Sequence, residues 1–282
     1  MLSAQVLAVF AGLASAVSYG VSDFGGGMAS RRSDAYSVVM VSQCAGMILL
    51  LLVAFMLSEP LPPTADLFAS AVAGVLGTIG LVRFYRELSG GRMGIIAPAT
   101  AVVTVTIPVL FSAATEGLPQ PNQIAGILLA IAAIWLVTRS GNETTVTLRD
   151  MASILVIGLF FSSFLVTIGT VSERSIVWPL VASRTASIAA VVIFLAVTRR
   201  ASFTVARSQL PFVSLVGILD VSGSGFYALA TTLGRLDIAA VVASLYPGVT
   251  VLLARGVFDE QISRRQWLGI AIALAAIVLI TI

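Results

Sequence analysis

Long stretches without any charged residue constrain the fold of this chain more than any other feature of its sequence. A helix needs roughly 20 mainly apolar residues to cross a bilayer, and only a helix or a closed barrel satisfies its own backbone there. The stretches are continuous runs of Leu, Ile, Val and Ala and do not alternate as barrel strands do. With 58% hydrophobic and 10% charged residues, the chain is predicted to be an all-α integral membrane protein. The charge-free stretches are 35–58, 93–115, 117–138, 151–172, 185–198, 238–254 and 266–282.

The chain also repeats itself at an offset of 143 residues. QIAGILLAIAAIWLV at 123–137 aligns with QWLGIAIALAAIVLI at 266–280, with eight identities in fifteen positions. Arg92 matches Arg235 at the same offset, and the Phe-Tyr pair at 84–85 matches the one at 226–227 after a one-residue gap. Two copies of a five-span unit are therefore predicted, and an odd number of spans places the second copy upside down. Inverted repeats with a site between them are typical of secondary transporters.

The predicted architecture is ten transmembrane helices, arranged as two inverted five-helix repeats around a central cavity. The first repeat covers 1–138, a linker covers 139–150, and the second repeat covers 151–282. The first apolar stretch has no basic leader and no cleavage site before its polar end, so it is expected to be a retained span. Cys44 is the only cysteine, which excludes an internal disulfide. The spans are placed at 3–29, 35–57, 66–89, 93–114, 121–138, 151–171, 177–198, 210–233, 237–254 and 264–282.

The arginines predict an orientation. All 16 basic residues are arginines, and thirteen of them lie in or beside the loops that follow the odd-numbered spans. Retained positive charge marks the cytoplasmic side, so both termini are predicted to be periplasmic in a bacterial inner membrane. The net charge of +3 comes from these loops, and the sequence offers no basic face for nucleic acid. The thirteen are Arg31, Arg32, Arg83, Arg86, Arg92, Arg139, Arg149, Arg199, Arg200, Arg207, Arg255, Arg264 and Arg265.

These features resemble the EamA-type transporters of the drug/metabolite transporter superfamily. The resemblance rests on the two five-span copies, the repeated Phe-Tyr pair and the closing pattern DEQISRRQWLGIAIALAAIVLI. The ninth span, SLYPGVTVLL, carries the proline that this family often has there, whereas Thr104 stands where Pro247 aligns in the first copy. The resemblance implies a transporter. Its members include amino-acid exporters of the YddG group and efflux proteins for other metabolites and drugs. Many relatives have cytoplasmic termini, and the arginine count departs from that pattern.

Asp220 is the sharpest candidate for a functional residue, because it lies near the middle of span 8. Ionisable residues inside the bilayer are costly and usually face a cavity or a partner. Asp220 shares one helix face with Gly217, Ser224 and Tyr227. The sequence is consistent with a contact to a substrate amine, with proton coupling, or with a structural ion pair to Arg184 on the neighbouring span.

Asp23 is the second candidate. It lies beside a small and polar face of span 1 that includes Ser15, Tyr19, Ser22 and Gly26. A pair with Arg31, Arg32 or an arginine of span 3 near the cytoplasmic surface is one interpretation, and a role in gating or coupling is the other.

Further hydroxyl and tyrosine side chains lie on spans 1, 3, 4, 6, 8 and 9. Any single hydroxyl can be satisfied by the carbonyl one turn back, and tyrosines at span ends belong to the membrane interface. Polar faces on several spans together favour one central cavity. The full set of predicted cavity or substrate residues is Tyr19, Ser22, Tyr85, Thr100, Thr104, Ser163, Thr167, Asp220, Ser224, Tyr227, Ser244 and Tyr246, with Asp23 and Asp220 as coupling or gating residues.

Other function classes fit poorly. The sequence has no histidine for a serine-protease triad, no Walker loop and no metal-spaced His/Cys cluster. Asp23 and Asp220 could be nominated as an intramembrane aspartyl protease pair, but neither lies in a Gly-x-Gly-Asp context. We therefore expect a secondary transporter that works by alternating access, and the family resemblance implies that it exports small polar metabolites, in the first instance amino acids. Efflux or uptake of a drug or other metabolite is the alternative. We expect no cofactor, a proton gradient as the energy source, the lipid bilayer and a small molecule as partners, and either a monomer or a homodimer.

Overall fold

A computed structural model describes residues 3–90, 93–138, 148–198, 205–258 and 264–281. The described residues are helical and contain no strand. The described residues of the first half form five helices: α1 Ala4–Ala29, α2 Ala35–Leu57, α3 Thr64–Ser89, α4 Met93–Thr115 and α5 Pro121–Thr138. Those of the second half form six helices besides a 3₁₀ turn at Arg207–Gln209: α6 Leu148–Val171, α7 Val177–Val197, α8 Leu210–Leu233, α9 Leu236–Ala243, α10 Tyr246–Phe258 and α11 Arg264–Thr281.

Six of these helices, α1, α2, α3, α6, α7 and α8, are long and apolar enough to cross a membrane. Shorter apolar helical stretches cover Ala99–Thr115, Pro121–Ala133 and Leu236–Thr250. Most of the predicted linker 139–150 and the acidic loop before α11 lie outside the described residues.

The predicted ninth span, 237–254, is formed by two helices, α9 and α10. The helix stops at Ala243 and starts again at Tyr246. Pro247 explains the break, because it has no N–H to bond the carbonyl four residues back and its ring clashes with the preceding turn. A proline near the first position of a new helix is well tolerated, since the amide there has no partner in any case. The chain therefore turns between α9 and α10 inside the bundle, where Leu245 N donates to the Val242 carbonyl.

The packing between the two halves is reciprocal. The contact of α1 with α8 has its counterpart in the contact of α6 with α3. In the same way, α2 packs on α8 as α7 packs on α3. Helix α4 packs on α6, as α9 and α10 pack on α1. Three contacts are their own counterparts: α2 with α7, α5 with α11, and α4 with the α9–α10 pair. When the halves are exchanged, the set of principal contacts is unchanged.

Two glycines allow the closest approaches between the halves. A Cβ added to Gly217 on α8 would overlap the carbonyl oxygen of Ser42 on α2. In the other half, a Cβ on Gly74 of α3 would overlap the carbonyl oxygen of Ser183 on α7. Gly74 and Gly217 are 143 residues apart, the offset of the sequence repeat. Small residues let helix backbones approach closely inside a membrane, and here they do so at matching points of the two halves.

The end of the bundle that holds the α2–α3 and α6–α7 connections is tied by polar contacts. Glu59 accepts hydrogen bonds from the Ser175 hydroxyl and from the backbone amides of Ile176 and Val177, so its carboxylate caps the start of α7. The indole of Trp178 donates to the backbone carbonyl of Glu59 at 2.9 Å. These contacts link the α2–α3 connection to the second half.

Candidate functional site

A cavity of about 90 Å³ lies between the two halves. Since one water molecule needs about 10–15 Å³ of free cavity volume, the cavity can hold several waters or a small solute. Every helix except α5 and α11 contributes to its wall. Its polar lining consists of Tyr19, Asp23, Gln43, Thr78, Thr104, Ser183, Arg184, Ser187, Asp220, Ser224, Ser244 and Tyr246.

A buried ion pair lies at the centre of this lining. The Arg184 Nη2 atom of α7 lies 2.5 Å from Asp220 Oδ2 of α8. Both residues are buried, at 6% and 9% exposure. The other terminal nitrogen of Arg184 donates to Gln43 Oε1 on α2, and the hydroxyl of Tyr19 donates to Ser224 Oγ at 3.0 Å. A charge taken out of water is costly unless it is paired and hydrogen-bonded, and this network meets both conditions for Asp220.

Asp23 has a different environment. It is 6% exposed and lines the same cavity from α1. The ion pairs of Arg174 with Asp66, Arg184 with Asp220 and Arg235 with Asp237 do not involve Asp23. With Asp23, Asp220 and Arg184 all ionised, the cavity carries a formal charge of −1. One positive charge would neutralise it.

Several buried donors around the cavity have no hydrogen-bond partner in the described part of the chain. They are the hydroxyls of Thr78, Thr104 and Ser244 and the Nε of Arg184. Buried polar groups in native proteins are nearly always paired with protein or water. These four donors, on α3, α4, α7 and the turn between α9 and α10, are therefore available to bind water or a polar solute in the cavity.

One side of the cavity is apolar. Leu81, Phe161, Phe164 and Leu165 line it from α3 and α6. Phe161 is held edge-on against the buried ring of Phe84, with the ring centroids 5.5 Å apart. The cavity thus presents charges and hydroxyls on one side and aromatic and aliphatic carbon on the other.

Seven of the predicted site residues meet at this cavity: Tyr19, Asp23, Thr104, Asp220, Ser224, Ser244 and Tyr246. Their convergence follows from the packing of α1 on α8 and from the break after α9, which places Ser244 and Tyr246 at the cavity.

Four other predicted residues are buried between helices and are absent from the lining. Ser22 donates to the Val216 carbonyl and Tyr227 donates to the Leu165 carbonyl, each bonding the neighbouring helix. The ring of Tyr85 packs directly against Gly26. Thr100 is fully buried on α4, one turn before Thr104. Gly217, on Asp220's helix face, meets α2, so this face serves partly for packing.

Ser163 and Thr167 lie away from the cavity. Helix α6 turns Phe161, Phe164 and Leu165 towards it, while Ser163 donates to the carbonyl of Leu159 on its own helix. A hydroxyl satisfied one turn back costs little on an apolar face. A polar residue in a span therefore does not by itself indicate a cavity.

Two central residues were not recognised as cavity residues from the sequence, Arg184 and Gln43. Arg184 was considered only as an ion-pair partner, and Gln43 was not considered. A usable signal exists, because α2 and α7 correspond at an offset of 141 that matches Ser42 with Ser183 and Gln43 with Arg184. A large polar residue at the same point of both copies marks the place where these helices cross.

The chemistry of the site favours binding over proteolysis. Asp23 and Asp220 share one cavity, as an aspartyl protease pair would require. Asp220, however, is paired with Arg184, and a carboxylate held by a guanidinium is a poor partner for sharing a proton with a second acid.

The chain resembles known proteins in sequence and in fold. Residues 6–139 and 150–282 each match the EamA-like transporter family. No curated protein matches the chain. A solved structure, described only as a crystal structure of a protein, matches with a TM-score of 0.76 over 100% of this chain and 99% of the other. At 15% sequence identity, that likeness shows the fold alone.

Proposed function

The chain belongs to the EamA-like transporter family, and on that premise we propose that it exports a small amine-bearing metabolite, in the first instance an amino acid, by alternating access. The family makes it a multi-pass membrane transporter of the drug/metabolite type. The choice of an amine-bearing substrate rests on one observation, the charge balance of the cavity.

The carboxylate of Asp23 supports an ammonium group on the substrate. Arg184 neutralises Asp220, so the negative charge of Asp23 has no counterpart among the described side chains. An ammonium group would supply the missing positive charge and three hydrogen-bond donors. Intramembrane ionisable residues that line a cavity commonly serve substrates or coupling ions.

The orphan donors support a carboxylate on the same substrate. A carboxylate accepts hydrogen bonds only, and the free groups of Thr78, Thr104, Ser244 and Arg184 Nε can donate. The wall of Phe161, Phe164 and Leu165 would hold an apolar side chain. An apolar α-amino acid combines these three requirements.

The reciprocal packing supports alternating access. If the ten spans form two inverted halves, a helix pair that is its own counterpart, such as α2 with α7 or α5 with α11, lies on the pseudo-twofold axis that relates the halves. Since α2 and α7 cross beside the cavity, that axis would pass through it. Rocking one half against the other would then expose the cavity to each side in turn. The short α9 and α10 meet at the cavity, as the discontinuous helices of other transporters do.

A proton is the proposed coupling ion, exchanging with the substrate's ammonium at Asp23. We place the protein in a bacterial inner membrane, with the arginine-rich loops in the cytoplasm and both termini in the periplasm. The charged or titratable groups that face Asp23 are Tyr19, Tyr85, Arg184, Asp220 and Tyr246.

A three-probe binding test separates the substrate classes. Purified protein is heated with 2-aminobutyrate, butylamine or butyrate, and with longer members of each series, while its melting temperature is recorded. The proposal predicts that the amino acids stabilise most, the amines less, and the acids not at all. Stabilisation by neutral drugs alone would assign the protein to the alternative, drug efflux.

Flux measurements then test the role of Asp23 in transport. In proteoliposomes with an imposed proton gradient, Asp23→Asn should abolish export of the best amino acid. Asp66→Asn is the matched control, because it removes a carboxylate that pairs with Arg174 outside the cavity. Normal flux through Asp23→Asn, or equal loss in both variants, would contradict the role of Asp23.

A further inference from the structure

A second pocket lies at the arginine-rich end of the bundle, apart from the cavity. Its volume is about 520 Å³, and it is formed by the last turns of α3 and the first turns of α6. Three arginines line it, Arg83, Arg86 and Arg149, with Glu87 as the one acid. The lining therefore carries a formal charge of +2.

Glu87 is the one carboxylate that the described lining sets against these three arginines, whereas each of two arginines at the other end of the bundle has its own carboxylate. Arg174 lies 2.7 Å from Asp66, and Arg235 lies 3.0 Å from Asp237. Those hydrogen-bonded carboxylates raise the pKa of both guanidinium groups above the ordinary arginine value.

The contacts made inside the pocket leave its positive charge in place. Glu87 accepts a hydrogen bond from Ser153 at 2.9 Å. The Arg86 guanidinium lies over the ring of Tyr36, 6.0 Å from its centroid, so it contacts an aromatic face. Guanidinium groups bind phosphate oxygens through paired hydrogen bonds, and a phosphate would offset their mutual repulsion.

An apolar stripe begins beside the pocket and runs down α6. Leu148, Met151, Leu155 and Leu159 are spaced three or four residues apart, so they share one helix face. They are 85%, 52%, 48% and 46% exposed, which in a membrane means exposed to lipid. From first to last they span about 16 Å at 1.5 Å per residue. One leaflet of the hydrocarbon core is about 15 Å thick, half of about 30 Å.

We propose that this pocket binds the phosphate headgroup of an anionic phospholipid, whose acyl chains lie along the α6 stripe. The cationic pocket would attract a phosphate group. The adjoining apolar stripe, which is as long as one leaflet is thick, favours the phosphate of a lipid over a free anion. Basic pockets between membrane helices are suited to such headgroups. The site is independent of the substrate cavity and of the direction of transport.

The test measures lipid binding to purified full-length protein. Phosphatidylglycerol is titrated into protein in phosphatidylcholine mixed micelles, and bound lipid is counted by native mass spectrometry. The triple variant R83Q/R86Q/R149Q should weaken phosphatidylglycerol binding at least tenfold. Its melting temperature without lipid shows whether it is folded, which these exposed positions should permit.

A second triple variant, R32Q/R207Q/R264Q, is the matched control. It removes the same charge from exposed arginines of the same predicted side, and should bind phosphatidylglycerol within about threefold of the parent protein, because loop charges far from a bound headgroup are screened. Equal loss in both variants would show attraction to overall charge and would overturn the proposal. So would displacement of phosphatidylglycerol by inorganic phosphate, which would indicate a site for a soluble anion.

Discussion

Breaking the Arg184–Asp220 pair offers the sharpest test of the central site. Asp220→Asn keeps the shape and a hydrogen-bond acceptor but removes the carboxylate that is paired with the buried Arg184 guanidinium. The side chains of the pair are only 8% and 12% exposed. Two charges about 4 Å apart attract by about 4 kcal/mol at an effective dielectric constant near 20. Removal of one partner of a buried pair commonly costs about 3–5 kcal/mol.

The free energy of unfolding in mixed micelles should therefore fall by about 4 kcal/mol in Asp220→Asn. At about 2–4 °C per kcal/mol for a chain of this size, the melting temperature should fall by about 8–16 °C. The double variant Arg184→Gln/Asp220→Asn should recover most of this loss, because neither position of the pair then carries a buried charge and Gln43 faces another glutamine.

The Arg174–Asp66 pair is the internal control. The Asp66 side chain is 12% exposed, like that of Asp220, but the Arg174 side chain is 61% exposed. Water can therefore solvate the guanidinium that Asp66→Asn leaves unpaired, and the cost should be no more than about 1 kcal/mol. If Asp220→Asn were no more destabilising than Asp66→Asn, or if the double variant were less stable than Asp220→Asn, the argument from burial would be refuted. Export by a stable double variant would further show that Asp220 serves the structure rather than the transport cycle.

Three other predictions address packing, the cavity and orientation. Gly217→Ala should severely reduce the yield of folded protein on size-exclusion chromatography. Gly225→Ala on the same helix should not, since a Cβ added at Gly225 meets nothing within 4 Å. Equal yields of the two variants would contradict the close crossing at Gly217. Cysteines at Thr104 and Ser244, with the native cysteine replaced by serine, should react with a small hydrophilic thiol reagent and be protected by substrate. A cysteine at Ser163 should show no such protection, and identical behaviour at all three would mean that no common cavity is reached. A reporter fused after the last residue should behave as periplasmic, because arginine-rich loops are retained in the cytoplasm; cytoplasmic fluorescence from that fusion would reverse the proposed topology.

The helices were largely predictable, because long charge-free runs flanked by arginines leave few other structures for the backbone in a membrane. The effect of each proline on the continuity of its helix was not predictable. Pro108 lies within α4, which stays continuous, and the carbonyl of Thr104 that it leaves without an amide accepts a hydrogen bond from Ser162 of α6 at 2.9 Å. Pro247 instead accompanies a break. Whether a proline bends or breaks a helix thus depends on what the neighbouring helix offers.

The candidate site was predicted in part. Asp220 and Asp23 were identifiable, since a carboxylate inside a span needs an explanation. Which cation balances each of them depends on how α7 and α8 are rotated, and the sequence pattern does not report that. The prediction that Ser163 lines the cavity depended on helix rotation in the same way, because a hydroxyl bonded to its own helix can face the cavity or point away from it.

The matched glycines also set where the two halves can differ. At Gly74 and Gly217 the opposing backbones leave no room for a side chain, so both halves need glycine there. One turn further on, the same alignment matches Gly77 with Asp220, and both line the cavity. A side chain is tolerated at this position because the helices there face a space instead of another backbone. The crossings thus require the two halves to be alike, while the cavity between them lets one half carry a charge that the other lacks.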